Sequence, residues 1–158
     1  MSKAFSAANN IGRRTLLRRL FLLCVLICSG ISVQAEQVTT EIAIITHPQT
    51  KLERVSLEQI KKRWLSKTKR IYQLQVDIID IDENNPLRHQ FYSKIIGVND
   101  SQLKAHWAKK VFRGEGLPPE MKPNYVEILQ WVKKQANRIG YIYKKDIDDG
   151  VKILFEVN

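Results

Sequence analysis

Apolar positions along this chain repeat with two periods. Residues 41–46 (EIAIIT), 74–82 (LQVDIIDID), 139–143 (IGYIY) and 151–157 (VKILFEV) are short runs rich in β-branched and aromatic residues, and predict strands. Between the first two, Leu57, Ile60 and Trp64 recur at helical spacing behind Ser56, which forms a capping box with Gln59. Leu87, Phe91 and Ile95 repeat every fourth residue in a helix that opens at Pro86 and stops at Gly97. Leu103, Trp107 and Val111 mark a third helix, with Ala105, Ala108 and Phe112 widening the same face. Asn124 and Glu127 open a fourth helix, with Ile128, Trp131 and Val132 on its buried side. His47-Pro48 ends the first strand, and residues 114–123 (GEGLPPEMKP) read as a rigid irregular loop. The order β-α-β-α-α-α-β-β predicts an α/β domain, a mixed sheet flanked by helices.

The polar positions point to one place in that order. At residues 82–88 a strand runs into a helix N-terminus through a polar loop, where α/β proteins usually place a ligand. Asn84 and Asn85 serve there as caps or as ligand contacts. Arg88, one turn into the helix, serves either as an anion contact or as the partner of Asp82 or Glu83. His47 and Thr50 follow the first strand and are expected on the same edge of the sheet. The candidate ligand-binding set is therefore His47, Thr50, Asn84, Asn85 and Arg88.

The first 35 residues differ from the rest. They hold Lys3, Arg13, Arg14, Arg18 and Arg19, then an apolar run at 20–33 (LFLLCVLICSGISV), then Val33-Gln34-Ala35. This is the pattern of a signal peptide cut after Ala35. The run is shorter than the roughly 18–20 residues that span a bilayer, which favours cleavage over a retained anchor. Arg13-Arg14-Thr15-Leu16-Leu17-Arg18 resembles a twin-arginine signal, with Gly12 and Leu16 departing from the usual Ser and Phe. The expected organisation is a signal peptide at 1–35 and one periplasmic domain at 36–158. Cys24 and Cys28 leave with the signal, so the mature domain has no thiol chemistry and no disulfide framework.

Removing that segment also changes the charge. Five of the 26 Lys and Arg and none of the 16 acids lie in it, so the net charge falls from +10 to +5. The run at 61–70 (KKRWLSKTKR) interleaves cations with Trp64. On an exported domain this is not a nucleic-acid site. Lys61, Lys62 and Arg63 read as a solvated face or as a docking surface for anionic lipid or an acidic partner protein. Catalysis finds no support: His47, His89 and His106 are scattered, no His-Glu-x-x-His or Gly-x-Ser-x-Gly motif occurs, and no metal site or cofactor is implied. Asp77, Asp80 and Asp82 do not form a metal cluster, because on a strand Asp77 takes the face opposite the other two.

Four patches carry a resemblance. They are residues 55–67 (VSLEQIKKRWLSK), 88–91 (RHQF), 107–119 (WAKKVFRGEGLPP) and 139–141 (IGY). In this order and spacing they resemble the phosphate ABC-transporter substrate-binding family, in a small single-lobe form of the type II periplasmic-binding-protein fold. In that family a helix leads into a Phe-x-Gly-Lys turn, and Trp64, Ser66 and Lys67 stand in its Phe, Gly and Lys places. The resemblance implies binding of a small oxyanion such as phosphate by amides and hydroxyls at helix N-termini, in uptake or sensing alongside a permease. Phosphate-holding members carry an arginine on the second strand and a Ser-Gly-Thr before the helix. Here Asp80 or Ile81 and Asn85-Pro86-Leu87 occupy those places. Two functions follow as expectations: a solute-binding-like protein for an oxyanion, or an interaction module that kept the fold, lost the ligand and docks on a permease, receptor or sensor. A homodimer would give the anion a second lobe.

Overall fold

Strand β1 (Ile42–Thr46) is buried at every position, so its IAIIT sequence must be covered on both faces. The computed structural model describes residues 41–66 and 68–156; the expected signal peptide at 1–35 and Lys67 lie outside the described residues. In chain order there follow α1 (Leu57–Leu65), β2 (Arg70–Ile71), β3 (Leu74–Gln75), β4 (Asp77–Ile78), β5 (Asp80–Ile81) and α2 (Pro86–Gln90). Then come a π-helical turn (Phe91–Ile96), α3 (Asp100–Phe112), β6 (Met121–Lys122), α4 (Tyr125–Lys133), β7 (Arg138–Tyr143), a 3-10 turn (Lys144–Asp146) and β8 (Lys152–Glu156). The main sheet is mixed, in the order β4-β7-β1-β8. Strand β1 lies antiparallel to both β7 and β8, and β4 parallel to β7.

The run 74–82 is not the single strand its pattern predicts. Strand β3 turns back on β2, β4 joins β7, and β5 runs parallel to β6. The amides of Asp77 and Ile79 donate to the carbonyls of Asn137 and Ile139, whereas those of Asp80 and Asp82 donate to Glu120 and Lys122. The chain stays extended while its hydrogen bonds change sides. Its backbone groups are thus satisfied although Val76, Ile79, Asp80 and Ile81 are all buried.

Local signals set the helix starts. Ser56 and Gln59 close the capping box of α1, Asn99 and Gln102 that of α3, and the Asn124 side chain accepts from the Glu127 amide at α4. After α2 the helix widens, with both the Gly97 and Val98 amides donating to the Tyr92 carbonyl, and Gly97 ends it at φ 82°. The extra residue in the turn brings Tyr92 and Ile96 inward beside Leu87, Phe91 and Ile95. Phe91 stacks on Tyr141 at 3.8 Å and meets Trp64 edge-on at 5.2 Å, so α1, the widened helix and β7 share one aromatic core. Helix α3 buries Leu103 and Trp107, but Val111 and Phe112, expected to extend that face, are exposed. Trp131 is half-buried rather than core, with the Arg138 guanidinium 4.4 Å from its ring centre.

Candidate functional site

Strand directions separate the loops that the sequence places together. Thr46 at the end of β1 lies opposite Ile139, which pairs with Ile78, while Ile42 at its start lies opposite Tyr143. The loop after β1 therefore leaves the sheet at the end where β4 begins, and residues 82–88 leave it at the other end. Two hydrogen bonds fix these positions: Thr46 Oγ1 donates to the Arg138 carbonyl at 2.8 Å, and Gln90 Nε2 donates to the Tyr143 hydroxyl at 3.2 Å. His47 and Thr50 thus share no edge with Asn84, Asn85 and Arg88, and the five-residue set is not one site. They form a local turn instead, with the Thr50 amide on the His47 carbonyl at 3.0 Å and the Gln49 amide on His47 Nδ1 at 3.1 Å.

The loop at 82–88 borders a cleft of about 380 Å³ between α2, α3 and the proline loop, lined by Glu83, Asn84, Arg88, His89, Asp100 and Lys104 among others. Its donors are largely spoken for. The Asn85 side chain accepts from the Leu87 amide at 3.0 Å, Pro86 has no N–H, and the Asn84 and Asn85 amides donate to Asp82. Asn85 is therefore a cap, and Asn84 lies exposed at the cleft rim. His89 pairs with Asp100 at 2.6 Å. Lys104 is the cleft cation for which no ion pair is formed among the described residues.

Arg88 pairs with neither Asp82 nor Glu83. Its Nε lies 3.1 Å from Oδ2 of Asp80, a carboxylate only 1% exposed. Oδ2 also accepts from the Tyr92 hydroxyl at 2.8 Å, while Oδ1 accepts from the Tyr141 hydroxyl and from the Ile81 amide at 2.9 Å. Four donors on one carboxylate are what burial of a charge requires. Burial lowers the Arg88 pKa, but the Asp80 charge and hydrogen bond outweigh it and hold the group above its usual value. Tyr92 and Tyr141 are both pushed well above the usual 10.0, first by burial and then by the neighbouring Asp80. The guanidinium is thus committed to the interior, with its face 4.9 Å from the Tyr92 ring centre.

The basic helix is also rearranged. Lys62 is exposed and Lys61 partly so, but Arg63 is buried, and its Nε and Nη2 donate to the Val76 carbonyl at 3.3 and 2.8 Å. Burial lowers its pKa, against a smaller upward pull from Asp77. Arg63 does not belong to the solvated face. Spacing carried the signal, since Arg63 sits three residues after Ile60 and next to Trp64, on the apolar stripe of α1. Asp80, Tyr92 and Tyr141 were missed as a group; the one hint was an acid inside a run of buried isoleucines. Among the described residues no three acidic, His or Cys side chains are grouped to hold a metal, and no helix is long and apolar enough to cross a membrane.

No family model and no curated protein sequence matches the chain. Solved structures do. A Clostridium perfringens protein, assigned as a phosphate ABC transporter substrate-binding protein and solved with phosphate bound, superposes with a TM-score of 0.56 at 19% identity over 72% of this chain and 43% of its own. An ABC-type phosphate transport receptor from Vibrio cholerae gives 0.56 at 14%, over 72% and 44%. PstS from Borrelia burgdorferi gives 0.53 at 16%, over 72% and 46%. The chain spans less than half the length of these proteins. What it shares with them is backbone architecture: this domain has the fold of the phosphate-type substrate-binding proteins, over about the extent of one lobe.

Proposed function

We propose that this chain is an exported, periplasmic, one-lobe relative of the phosphate-binding proteins that works by docking on a partner in oxyanion uptake or sensing, and does not capture free phosphate by itself. One observation carries this reading: at the start of α2, where the sequence resemblance would put an anion, Arg88 is held by buried Asp80 and the helix start is capped by Asn85 and closed by Pro86. A dianion entering the cleft would face the carboxylates of Glu83 and Asp100 in its lining. Calorimetric titration of phosphate into the purified protein, with sulfate as comparison, tests it. No saturable heat from either anion is expected. Saturable phosphate binding that survives moderate salt would restore the capture reading. The docking surface follows from α1: reversing the charge of Lys61 and Lys62 should abolish pull-down of a co-expressed permease, receptor or sensor, and retained pull-down counts against that face.

A second reading rests on the cleft itself. Asn84 and Lys104 present polar groups to it, and a small oxyanion held weakly between them would be bound outside the committed Arg88 pair. Lys104→Gln is the discriminating variant, because Lys104 is exposed and its replacement should change stability by no more than about 0.5 kcal/mol. Any weak phosphate-dependent shift in amide resonances around residues 84–104 should vanish in it.

A further inference from the structure

Asp77 and Arg138 open β4 and β7, at the end of the sheet away from residues 82–88. Beside them lies a second and larger cleft, of about 640 Å³, in the size range of sites that hold small molecules. Its apolar walls are Trp107, Trp131, Leu117, Pro118 and Pro119. Its cations are Arg63, Lys69 and Arg138, and its acids Asp77 and Glu120.

The two arginines are fixed in place without being neutralised. Arg63 is only 8% exposed, and its Nε and Nη2 both donate to one uncharged acceptor, the Val76 carbonyl. Arg138 gives Nη1 to the Trp131 carbonyl at 3.0 Å and lays its guanidinium over the Trp131 ring. Neither arginine forms an ion pair among the described residues. The two acids are engaged elsewhere: Glu120 pairs with Lys122 at 2.9 Å, and Asp77 accepts from Asn137 Nδ2 at 3.1 Å. A guanidinium carries five N–H donors, so both arginines keep donors for a further acceptor. Two more donors on lining residues, Nε of Arg138 and Nε1 of Trp107, are buried with no partner among the described residues. Buried charges are ordinarily paired and buried N–H groups ordinarily bonded. What this cleft lacks is an anionic acceptor.

The walls decide the rest of the ligand. An inorganic oxyanion would answer the arginines and leave the tryptophan and proline surfaces wet. A neutral ring would cover those surfaces and leave Arg63 unpaired. A peptide would bring main-chain groups that need partners, whereas Pro118 and Pro119 have no N–H and Ser66 is the one uncharged polar side chain besides the indoles. A carboxylate on a flat ring answers both halves, its two oxygens matching a guanidinium fork and its ring packing on indole. We infer that this cleft binds a small aromatic carboxylate, with the acid group toward Arg63 and Arg138 and the ring against Trp107 and Trp131. The site is separate from the start of α2 and does not depend on the docking reading.

The chain's three tryptophans supply a local readout, because Trp131 lines this cleft and not the one beside residues 82–88, Trp107 lines both, and Trp64 lines neither. Protein recovered from expression of the whole chain is titrated with benzoate, naphthoate and indole acetate, with naphthamide and phosphate as comparisons. The indole N–H resonances of Trp131 and Trp107 should move saturably with at least one of the carboxylates, and that of Trp64 should move less. Naphthamide, the same shape without the charge, should bind about tenfold more weakly than naphthoate or worse. Arg138→Gln should lower carboxylate affinity by about tenfold or more. Because Arg138 also holds the Trp131 carbonyl, a second variant avoids the interior: Leu117→Glu, at a position 75% exposed, sets a carboxylate in the cleft lining and should weaken binding with the thermal midpoint unchanged. Lys104→Gln, in the other cleft, should change nothing. No movement of Trp131 with any of the three carboxylates overturns the inference. Equal binding of naphthamide also overturns it, as does phosphate moving the same resonances as strongly, or loss of binding in Lys104→Gln.

Discussion

Asp80 is 1% exposed yet receives four hydrogen bonds, so its removal and its mutation are different questions from those of a surface acid. Asp80→Asn keeps the shape but leaves the Arg88 charge without its partner in a poorly solvated place, and should cost about 3 kcal/mol or more in urea unfolding. Tyr141→Phe removes one donor from Oδ1 and should cost about 1–3 kcal/mol. The two tyrosines also set an alkaline limit. Their folded-state pKa values are raised, so the folded form keeps protons that the unfolded form releases above pH 10.0. The stability they contribute is complete below that pH and is lost as pH rises beyond it. Phenolate absorbance should therefore appear together with unfolding rather than ahead of it, and in Tyr141→Phe the loss between neutral and alkaline pH should be smaller. None of these roles was readable from composition. A carboxylate in an isoleucine run looks like one face of a strand until three other elements converge on it.

At the scale of elements, helix starts and stops were legible because they depend on neighbours in sequence: Ser56 with Gln59, Asn124 with Glu127, and Gly97 at its positive φ. What local chemistry does not encode is direction. Nothing in EIAIIT or LQVDIIDID says that β1 and β4 run opposite ways, and that one fact divides His47 and Thr50 from Asn84, Asn85 and Arg88. The widening after Gln90 was equally silent, since a four-residue repeat predicts a regular helix and leaves Tyr92 off the buried face. Close packing offers a test between elements. A Cβ at Gly140 would stand 2.6 Å from Cγ2 of Ile128 and 3.3 Å from Cγ2 of Val132, so α4 reaches β7 only because that position is bare. Gly140→Ala should cost about 1–3 kcal/mol through displacement of α4, seen as a lower urea midpoint with similar m-value. Phe112→Ser, at a position 92% exposed, should change stability by no more than about 0.5 kcal/mol.

For the whole molecule, the alternation of strand and helix identified the fold class, and the patches at 55–67, 88–91, 107–119 and 139–141 pointed to the fold that solved phosphate-type substrate-binding proteins share with it. The extent of the likeness is architectural, and Arg88, the candidate anion contact, is held instead by Asp80. That contrast predicts a protein whose stability is insensitive to phosphate, with a thermal midpoint that does not rise when millimolar phosphate replaces chloride at equal ionic strength; a concentration-dependent rise would signal a ligand site.

The position of β1 has a further consequence, for the order of events in making the protein. It is among the first of the described elements to leave the ribosome, but its two sheet partners, β7 and β8, are the last. Residues about a hundred positions apart must meet before the centre of the sheet exists, so the nascent chain holds its most apolar strand unpaired until β7 and β8 have been made. Until then the chain carries an apolar strand with both edges open. Ending it before Lys152 should leave β1 with one free edge and give a product recovered in aggregates rather than as a weakened fold.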